Sequence, residues 1–166
     1  MSEPEKPHYT KSSIILEIIS ILSLITFFIF TYYTWPNVPQ RIPDHFGWSG
    51  MPDSWDSKGM VPTMLYVALF IFILLSIVSR FPRIINFPFA INEDNSKSHL
   101  QLRFFFILWI KAELVLFTSY IGIQGMRVSL GEVEGLGSYF IITLTVVLII
   151  TSAIFIYKAY KLKLVI

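Results

Sequence analysis

The chain has 166 residues, of which 54% are hydrophobic and 14% are charged, and its formal net charge is +2. Soluble domains carry charges on about a quarter of their residues, so this composition excludes an ordinary soluble protein and indicates one that lies in a lipid bilayer. The chain contains no cysteine, which excludes disulfide bonds, thiolate metal sites and thiol nucleophiles.

After a polar tail at residues 1–12, long apolar segments alternate with polar ones. An apolar helix of about 20 residues crosses the roughly 30 Å hydrocarbon core of a bilayer. Four segments reach this length, and we predict transmembrane helices at residues 13–34, 60–79, 104–125 and 138–157. Polar segments at residues 35–59 and 80–103 join them, and a basic tail occupies residues 158–166. The predicted fold class is an all-α integral membrane protein, a four-transmembrane-helix bundle forming one membrane domain at residues 13–157.

The distribution of Lys and Arg predicts the orientation, because these residues are retained on the cytoplasmic side of membrane spans. With both termini in the cytoplasm, nine of the 13 Lys and Arg residues lie inside, three lie outside and Lys111 lies within the membrane. The nine are Lys6, Lys11, Arg80, Arg83, Lys97, Arg103, Lys158, Lys161 and Lys163, and the three are Arg41, Lys58 and Arg127. We therefore predict cytoplasmic N- and C-termini and an extracytoplasmic loop at residues 35–59.

That loop is longer than a turn requires and concentrates prolines, tryptophans and acids, so we predict that it is ordered. Its candidate ligand-binding residues are Asp44, His45, Phe46, Asp53, Trp55 and Lys58. The carboxylates and the imidazole could bind a cation or act on a bound peptide. In the alternative, structural interpretation, the tryptophans lie at the bilayer surface, the prolines set turns and His45 bonds within the loop. The spacing matches no specific metal motif, so we predict no metal and no cofactor.

The third predicted helix carries the polar residues that lie within the membrane. They are Lys111, Glu113, Tyr120 and Gln124. At helical spacing, Glu113 shares a face with Phe106, Trp109, Tyr120, Gln124 and Arg127, and Lys111 points nearly opposite. Because a carboxylate in a bilayer is costly, we expect Glu113 to face the bundle interior, either protonated or paired with another helix. It could be the titrating group of a polar pathway, or it could tie helices together through a hydroxyl while Lys111 snorkels to the headgroups. We expect Glu17 at the cytoplasmic interface.

The loop also carries a family resemblance. The run Val38-Pro39-Gln40-Arg41-Ile42-Pro43-Asp44-His45-Phe46, followed by Gly50, Pro52-Asp53-Ser54-Trp55 and Lys58, resembles the bacterial membrane domain of unknown function 1648. The likeness continues in Asn86-Phe87-Pro88, in Asn92-Glu93-Asp94-Asn95 and around Lys111, covering residues 14–124. The resemblance implies a domain that also forms the front half of SdpI-type membrane proteins, which protect a cell against its own secreted peptide toxin and can hold a repressor at the membrane. This chain has room for one span after that domain.

Two functions are compatible with these features. The first is a multi-pass protein of the bacterial cell membrane that binds or senses an extracellular peptide or envelope factor through its outer loop. A cytoplasmic regulator could then dock at Arg80–Arg103. The second is a small transporter or accessory subunit with Glu113 as a proton-titrating group. No Ser-His-Asp order, phosphate-binding glycine loop or HExxH sequence occurs, so we predict neither an enzyme nor a nucleic-acid partner. The lipid bilayer is a predicted partner, and the sequence specifies no oligomeric state.

Overall fold

The computed structural model describes residues 7–85 and 96–164. Within them the chain forms helix α1 (Lys11–Thr34), strands β1 (Arg41–Phe46) and β2 (Pro52–Ser57), and helices α2 (Met60–Val78), α3 (Ser96–Ser129) and α4 (Phe140–Leu164). All four helices are long and apolar enough to cross a membrane. The prediction of a mainly helical protein with four transmembrane helices is therefore confirmed, with the addition of one two-stranded sheet.

Helix α3 is the central helix of the bundle. It packs against α1, α2, α4 and β1, and it is also the least apolar span, with a mean hydropathy of 1.7 against 2.5 to 2.6 for the others. In a bilayer, burying a leucine between helices gains little, whereas burying a polar or small side chain removes it from lipid. The most polar helix therefore occupies the interior and the three most apolar helices surround it.

The bundle has two ends that we name by their contents. The hairpin end carries β1, β2 and the connection between α3 and α4 at residues 130–139. The terminal end carries the start of α1, the start of α3 and the end of α4. At this end the backbone of His8 exchanges two hydrogen bonds with the Gln101 side chain, at 2.9 and 3.1 Å. Helix α1 begins there with a capping box between Thr10 and Ser13, which satisfies otherwise unpaired N–H groups.

Helix α3 extends at both ends beyond the membrane span predicted at residues 104–125. It begins eight residues before position 104 and ends four residues after position 125, so the last part of the expected polar segment 80–103 is helical. The extension packs against the bundle, because Leu100 within it is buried and Phe104, directly after it, meets the Tyr9 ring edge-on at 5.0 Å. Its 34 residues span about 51 Å at 1.5 Å per residue, which exceeds the thickness of the hydrocarbon core.

The other helix bounds shift less. Helix α1 begins two residues before position 13, and α4 begins two residues after position 138 and continues seven residues beyond position 157. Part of the family-like sequence, Asn86-Phe87-Pro88 and Asn92-Glu93-Asp94-Asn95, lies outside the described residues.

The polar segment between α1 and α2 folds as an antiparallel β-hairpin. Strand β1 buries Ile42 and Pro43 against the helices, and Ile42 joins a core cluster with Phe27, Val61 and Met126. Strand β2 is exposed along nearly its whole length. The loop is thus ordered, and its inner strand closes the hairpin end of the bundle.

The tip of the hairpin docks on the connection between α3 and α4. The Leu136 N–H donates to the Gly50 carbonyl oxygen at 2.8 Å. Gly50 has φ of 77°, and a Cβ there would lie 2.5 Å from the Gly137 carbonyl oxygen. A Cβ at Gly135 would in turn overlap the Gly50 carbonyl oxygen. Glycine is required at both positions because the two backbones approach closely. At Gly50 it is also required because a positive φ is unfavourable for other residues.

Candidate functional site

The outer face of the hairpin presents a histidine–aspartate pair. His45 Nδ1 lies 2.5 Å from Asp53 Oδ1, and the two side chains are 68% and 53% exposed. His45 pairs across the sheet with Ser54 and Phe46 pairs with Pro52, so Asp53 is an extra residue without a partner in β1. Such a bulge redirects a side chain. The irregular register of this hairpin therefore brings the Asp53 carboxylate to His45.

The other candidate ligand-binding residues of the hairpin lie either on its exposed side or on the side that faces the helices. Asp44 is exposed at a second register shift. Asp44 and Phe46 both border a cavity of about 20 Å³ beneath the hairpin, against α2 and α3, which has room for about one water molecule. Trp55 lies opposite Pro43 and is 41% exposed. His45, Asp53 and Trp55 are thus accessible on the hairpin, while Phe46 is half-buried.

The Lys58 side chain makes contacts within the protein. Its Nζ donates to the Trp35 carbonyl oxygen at 2.6 Å and lies 4.4 Å from the centre of the Trp35 ring. Trp35 is the C-terminal cap of α1, where the helix dipole favours a positive charge. Lys58 therefore links the start of α2 to the end of α1.

Lys111 forms a buried ion pair that the sequence did not indicate. Its Nζ donates to both carboxylate oxygens of Glu17 at 2.7 Å and to Ser76 Oγ at 3.1 Å. The Lys111 side chain is fully buried, and its ammonium also lies 4.9 Å from the Phe72 ring centre. The alternative in which Lys111 snorkels to the headgroups is therefore wrong, because Glu17 holds its ammonium inside the bundle. The pair joins α1, α2 and α3, and its members lie 94 residues apart in sequence.

Glu113 connects α3 to α4. Its Oε1 accepts a hydrogen bond from Thr151 Oγ1 at 2.6 Å and another from Trp109 Nε1 at 2.7 Å. The residue is 9% exposed, and its Oε2 has no hydrogen-bond partner among residues 7–85 and 96–164. This geometry matches the alternative in which Glu113 ties helices through a hydroxyl. It also leaves one carboxyl oxygen buried and unbonded in the described part of the chain.

The part of the polar face of α3 nearer the hairpin end forms a separate hydrogen-bond network. Arg127 Nη1 donates to Gln124 Oε1 at 2.9 Å, and Gln124 Nε2 donates to the Tyr120 hydroxyl oxygen at 3.1 Å. The Tyr120 hydroxyl then donates to the Leu136 carbonyl oxygen at 2.9 Å. This network braces the same connection that receives the hairpin tip.

The two polar clusters of α3 are separated by aromatic rings. Glu113 and Tyr120 lie seven residues apart, about 10 Å along a helix. The Phe140 ring stacks on Tyr120 at 4.6 Å and meets Phe117 edge-on at 5.8 Å. The predicted polar face is therefore divided into a cluster around Glu113 and a network from Tyr120 to Arg127.

The polar contacts of the described residues join helices to one another and hold the hairpin on the bundle. In the ranges 7–85 and 96–164, no group of three or more His, Asp or Glu side chains is close enough to hold a metal ion. Sequence reasoning missed the contact of Lys111 with Glu17, which lie 94 residues apart. It predicted a hydroxyl partner for Glu113 as one alternative but did not identify Thr151, which lies 38 residues away. The sequence contained a weak indication of the close contact between the hairpin tip and the segment before α4, since three glycines cluster in that segment.

Four membrane-spanning helices closed at one end by a docked hairpin define a small multi-pass membrane protein. Residues 21–77 match the family model described as Domain of unknown function (DUF1648), so the chain contains a DUF1648 domain. The match covers most of α1, the hairpin and nearly all of α2, and it confirms the recognised family, over a shorter range than the residues 14–124 that the motifs suggested. No curated protein and no solved structure matches the chain.

Proposed function

We propose that this protein binds an extracellular peptide or envelope factor through its hairpin, as a multi-pass protein of the bacterial cell membrane with both termini in the cytoplasm. The observation that carries this proposal is the exposed His45–Asp53 pair on a hairpin that is otherwise fixed to the bundle. Exposed ion pairs contribute little to folding stability. A rigid surface, however, lowers the entropic cost of binding, so the arrangement suits recognition better than structural support.

The form of the hairpin suits an extended ligand. Strand β1 packs on the helices, whereas β2 is the exposed strand of a two-stranded sheet. A free strand edge can accept a peptide as an added strand, with alternate side chains contributing specificity. Trp48 and Trp55 are 80% and 41% exposed on the same hairpin, and tryptophan is enriched at the centres of binding interfaces. The family resemblance supports a secreted peptide as the class of ligand.

The proposal is tested by photo-cross-linking in cells. A photoreactive residue placed at Ser54, which is exposed on β2, should form adducts with peptides fractionated from the growth medium of the same strain. His45→Ala and Asp53→Asn should each reduce the adduct about tenfold, the loss of a 1.4 kcal/mol contact. The matched control is the photoreactive residue at Ile73, a lipid-facing position of α2 that is 47% exposed. Adducts at Ser54 that persist in both hairpin variants would contradict the proposal.

A second candidate function follows from the buried, unbonded Oε2 of Glu113. A carboxyl group in this position could take up and release protons in a small transporter or accessory subunit. The aromatic rings between Glu113 and Tyr120 weigh against a continuous pathway. Proton flux into proteoliposomes, followed with an internal pH dye at two pH values, decides the matter. Glu113→Gln should abolish flux in a transporter and should leave hairpin cross-linking unchanged if recognition is the function.

A cytoplasmic regulator at residues 80–103 remains part of the first proposal. Arg80 and Arg83 are exposed beside the end of α2, and residues 96–103 form the first two turns of α3. Together they would present positive charge at the membrane surface, which suits an acidic partner.

A further inference from the structure

An open groove of about 610 Å³ lies at the terminal end of the bundle, far from the hairpin. It runs between the residues that lead into α1, the first turns of α3 and the last turn of α4. Its volume is within the range of about 300–1,000 Å³ that is usual for sites of small ligands. We propose that this groove binds one anionic phospholipid from the leaflet at the terminal end.

The lining of the groove changes from polar to apolar along α3. Lys97 and Ser98 lie in the first turn of the helix and are exposed, whereas Leu102 and Phe105 line the groove one and two turns further on. Lys97 and Phe105 are separated by about 12 Å along the helix axis. Leu162 of α4 adds to the apolar part. A phospholipid shows the same change from polar to apolar along its length, from its headgroup to its acyl chains.

The walls of the groove are fixed in place. The Gln101 side chain holds the His8 backbone through two hydrogen bonds, which keeps the segment before α1 against α3. On the opposite side, the Phe105 ring packs against Phe155 of α4 with ring centres 5.9 Å apart. A groove whose walls are held by such contacts keeps its shape without a ligand. The cost of ordering the site on binding is therefore small.

The positive charge around the groove favours a ligand with an anionic headgroup. The described residues that line it include no Asp or Glu, and they include Lys97. Lys11 follows the lining residue Thr10 in the chain, and Lys161 precedes the lining residue Leu162. The nearest acids before α3, Glu93 and Asp94, lie outside the described residues. Basic pockets between transmembrane helices attract anionic lipid headgroups, and each nearby lysine contributes about 1 kcal/mol.

Native mass spectrometry of the full chain tests the proposal with two probes of identical acyl chains, phosphatidylglycerol and phosphatidylcholine. The wild-type protein should retain one phosphatidylglycerol at least about fivefold more tightly than phosphatidylcholine, the effect of one lysine. Lys97→Gln should remove most of this preference. Leu102→Trp should fill the apolar part of the groove and abolish retention of both lipids.

Two matched variants separate the groove from general effects. Arg80→Gln removes an exposed cation at the same end that does not line the groove, and Leu116→Trp adds the same bulk at an exposed position of α3. Both should bind lipid like the wild type. Equal retention of the two lipids by the wild type, equal losses in Lys97→Gln and Arg80→Gln, or lipid retained by Leu102→Trp would each overturn the proposal. Thermal unfolding of each variant confirms that the compared proteins are folded.

Discussion

Lys111 is the residue whose environment departs most from that of an ordinary lysine. Its ammonium is fully buried and is balanced by the Glu17 carboxylate. Removing one member of a buried pair leaves an uncompensated charge and costs about 3–5 kcal/mol. We expect Glu17→Gln to lower the free energy of unfolding by about this amount, because it strands the ammonium. The measurement is unfolding by sodium dodecyl sulfate in mixed micelles, followed by circular dichroism.

A double-mutant cycle shows whether this cost belongs to the pair. Lys111→Met combined with Glu17→Gln should be more stable than the sum of the single changes predicts, with a coupling of about 1–3 kcal/mol. Lys161→Met is the control, because Lys161 is exposed and its removal should change stability by less than about 0.5 kcal/mol. Additive single changes would show that Lys111 and Glu17 do not stabilise each other.

At the scale of an element, the hairpin depends on a contact between backbones. Gly50 and Gly131 have similar positive φ angles, 77° and 74°, but only a Cβ at Gly50 would meet another atom within 4 Å. Both alanine variants should therefore share a conformational cost of about 1–2 kcal/mol, and Gly50→Ala should also release the hairpin tip. We expect the Leu136 N–H, which donates to Gly50, to exchange with deuterium at least about tenfold faster in Gly50→Ala. Equal exchange in the two variants would argue against docking.

Helix α4 offers a second test of an element, because it contacts the bundle through α3. Thr151 donates to Glu113, whereas the Thr145 hydroxyl donates within its own helix to the Ile141 carbonyl oxygen. Thr151→Val keeps the shape and removes the interhelical hydrogen bond, so it should cost about 0.6 kcal/mol and at most about 1.7 kcal/mol. Thr145→Val should cost less. Unfolding by sodium dodecyl sulfate measures both variants. An equal loss of stability in the two would argue against a stabilising hydrogen bond between Thr151 and Glu113.

The elements also show what the sequence could and could not predict. The four spans were predictable because each must satisfy its own backbone hydrogen bonds in lipid, which requires one long apolar helix. The two strands were not, since the register shifts at Asp44 and Asp53 interrupt the alternation that marks a strand. The sequence placed His45 and Asp53 in one loop but could not choose Asp53 over Asp44 as the partner. The pairing of Lys111 with Glu17 depends on which helices are neighbours, which local sequence does not encode.

At the scale of the whole molecule, the two ends differ in both charge and architecture. The hairpin end is closed by backbone contacts and carries three Lys and Arg residues, whereas eight lie at the terminal end within residues 7–85 and 96–164. Because positive charge is retained in the cytoplasm, we propose that the terminal end faces the cytoplasm. The recognition and lipid-binding proposals would then concern opposite sides of one membrane.

Single-cysteine labelling tests this orientation directly, because the native chain has no cysteine to remove. Ser49 is exposed at the hairpin tip and Lys161 is exposed near the end of α4, so neither substitution disturbs a buried contact. A membrane-impermeant maleimide added to intact cells should label Ser49→Cys and should label Lys161→Cys only after the membrane is opened. The opposite pattern would place the hairpin in the cytoplasm. An extracellular ligand could not then reach His45 and Asp53, whereas the groove would still bind a lipid, now from the outer leaflet.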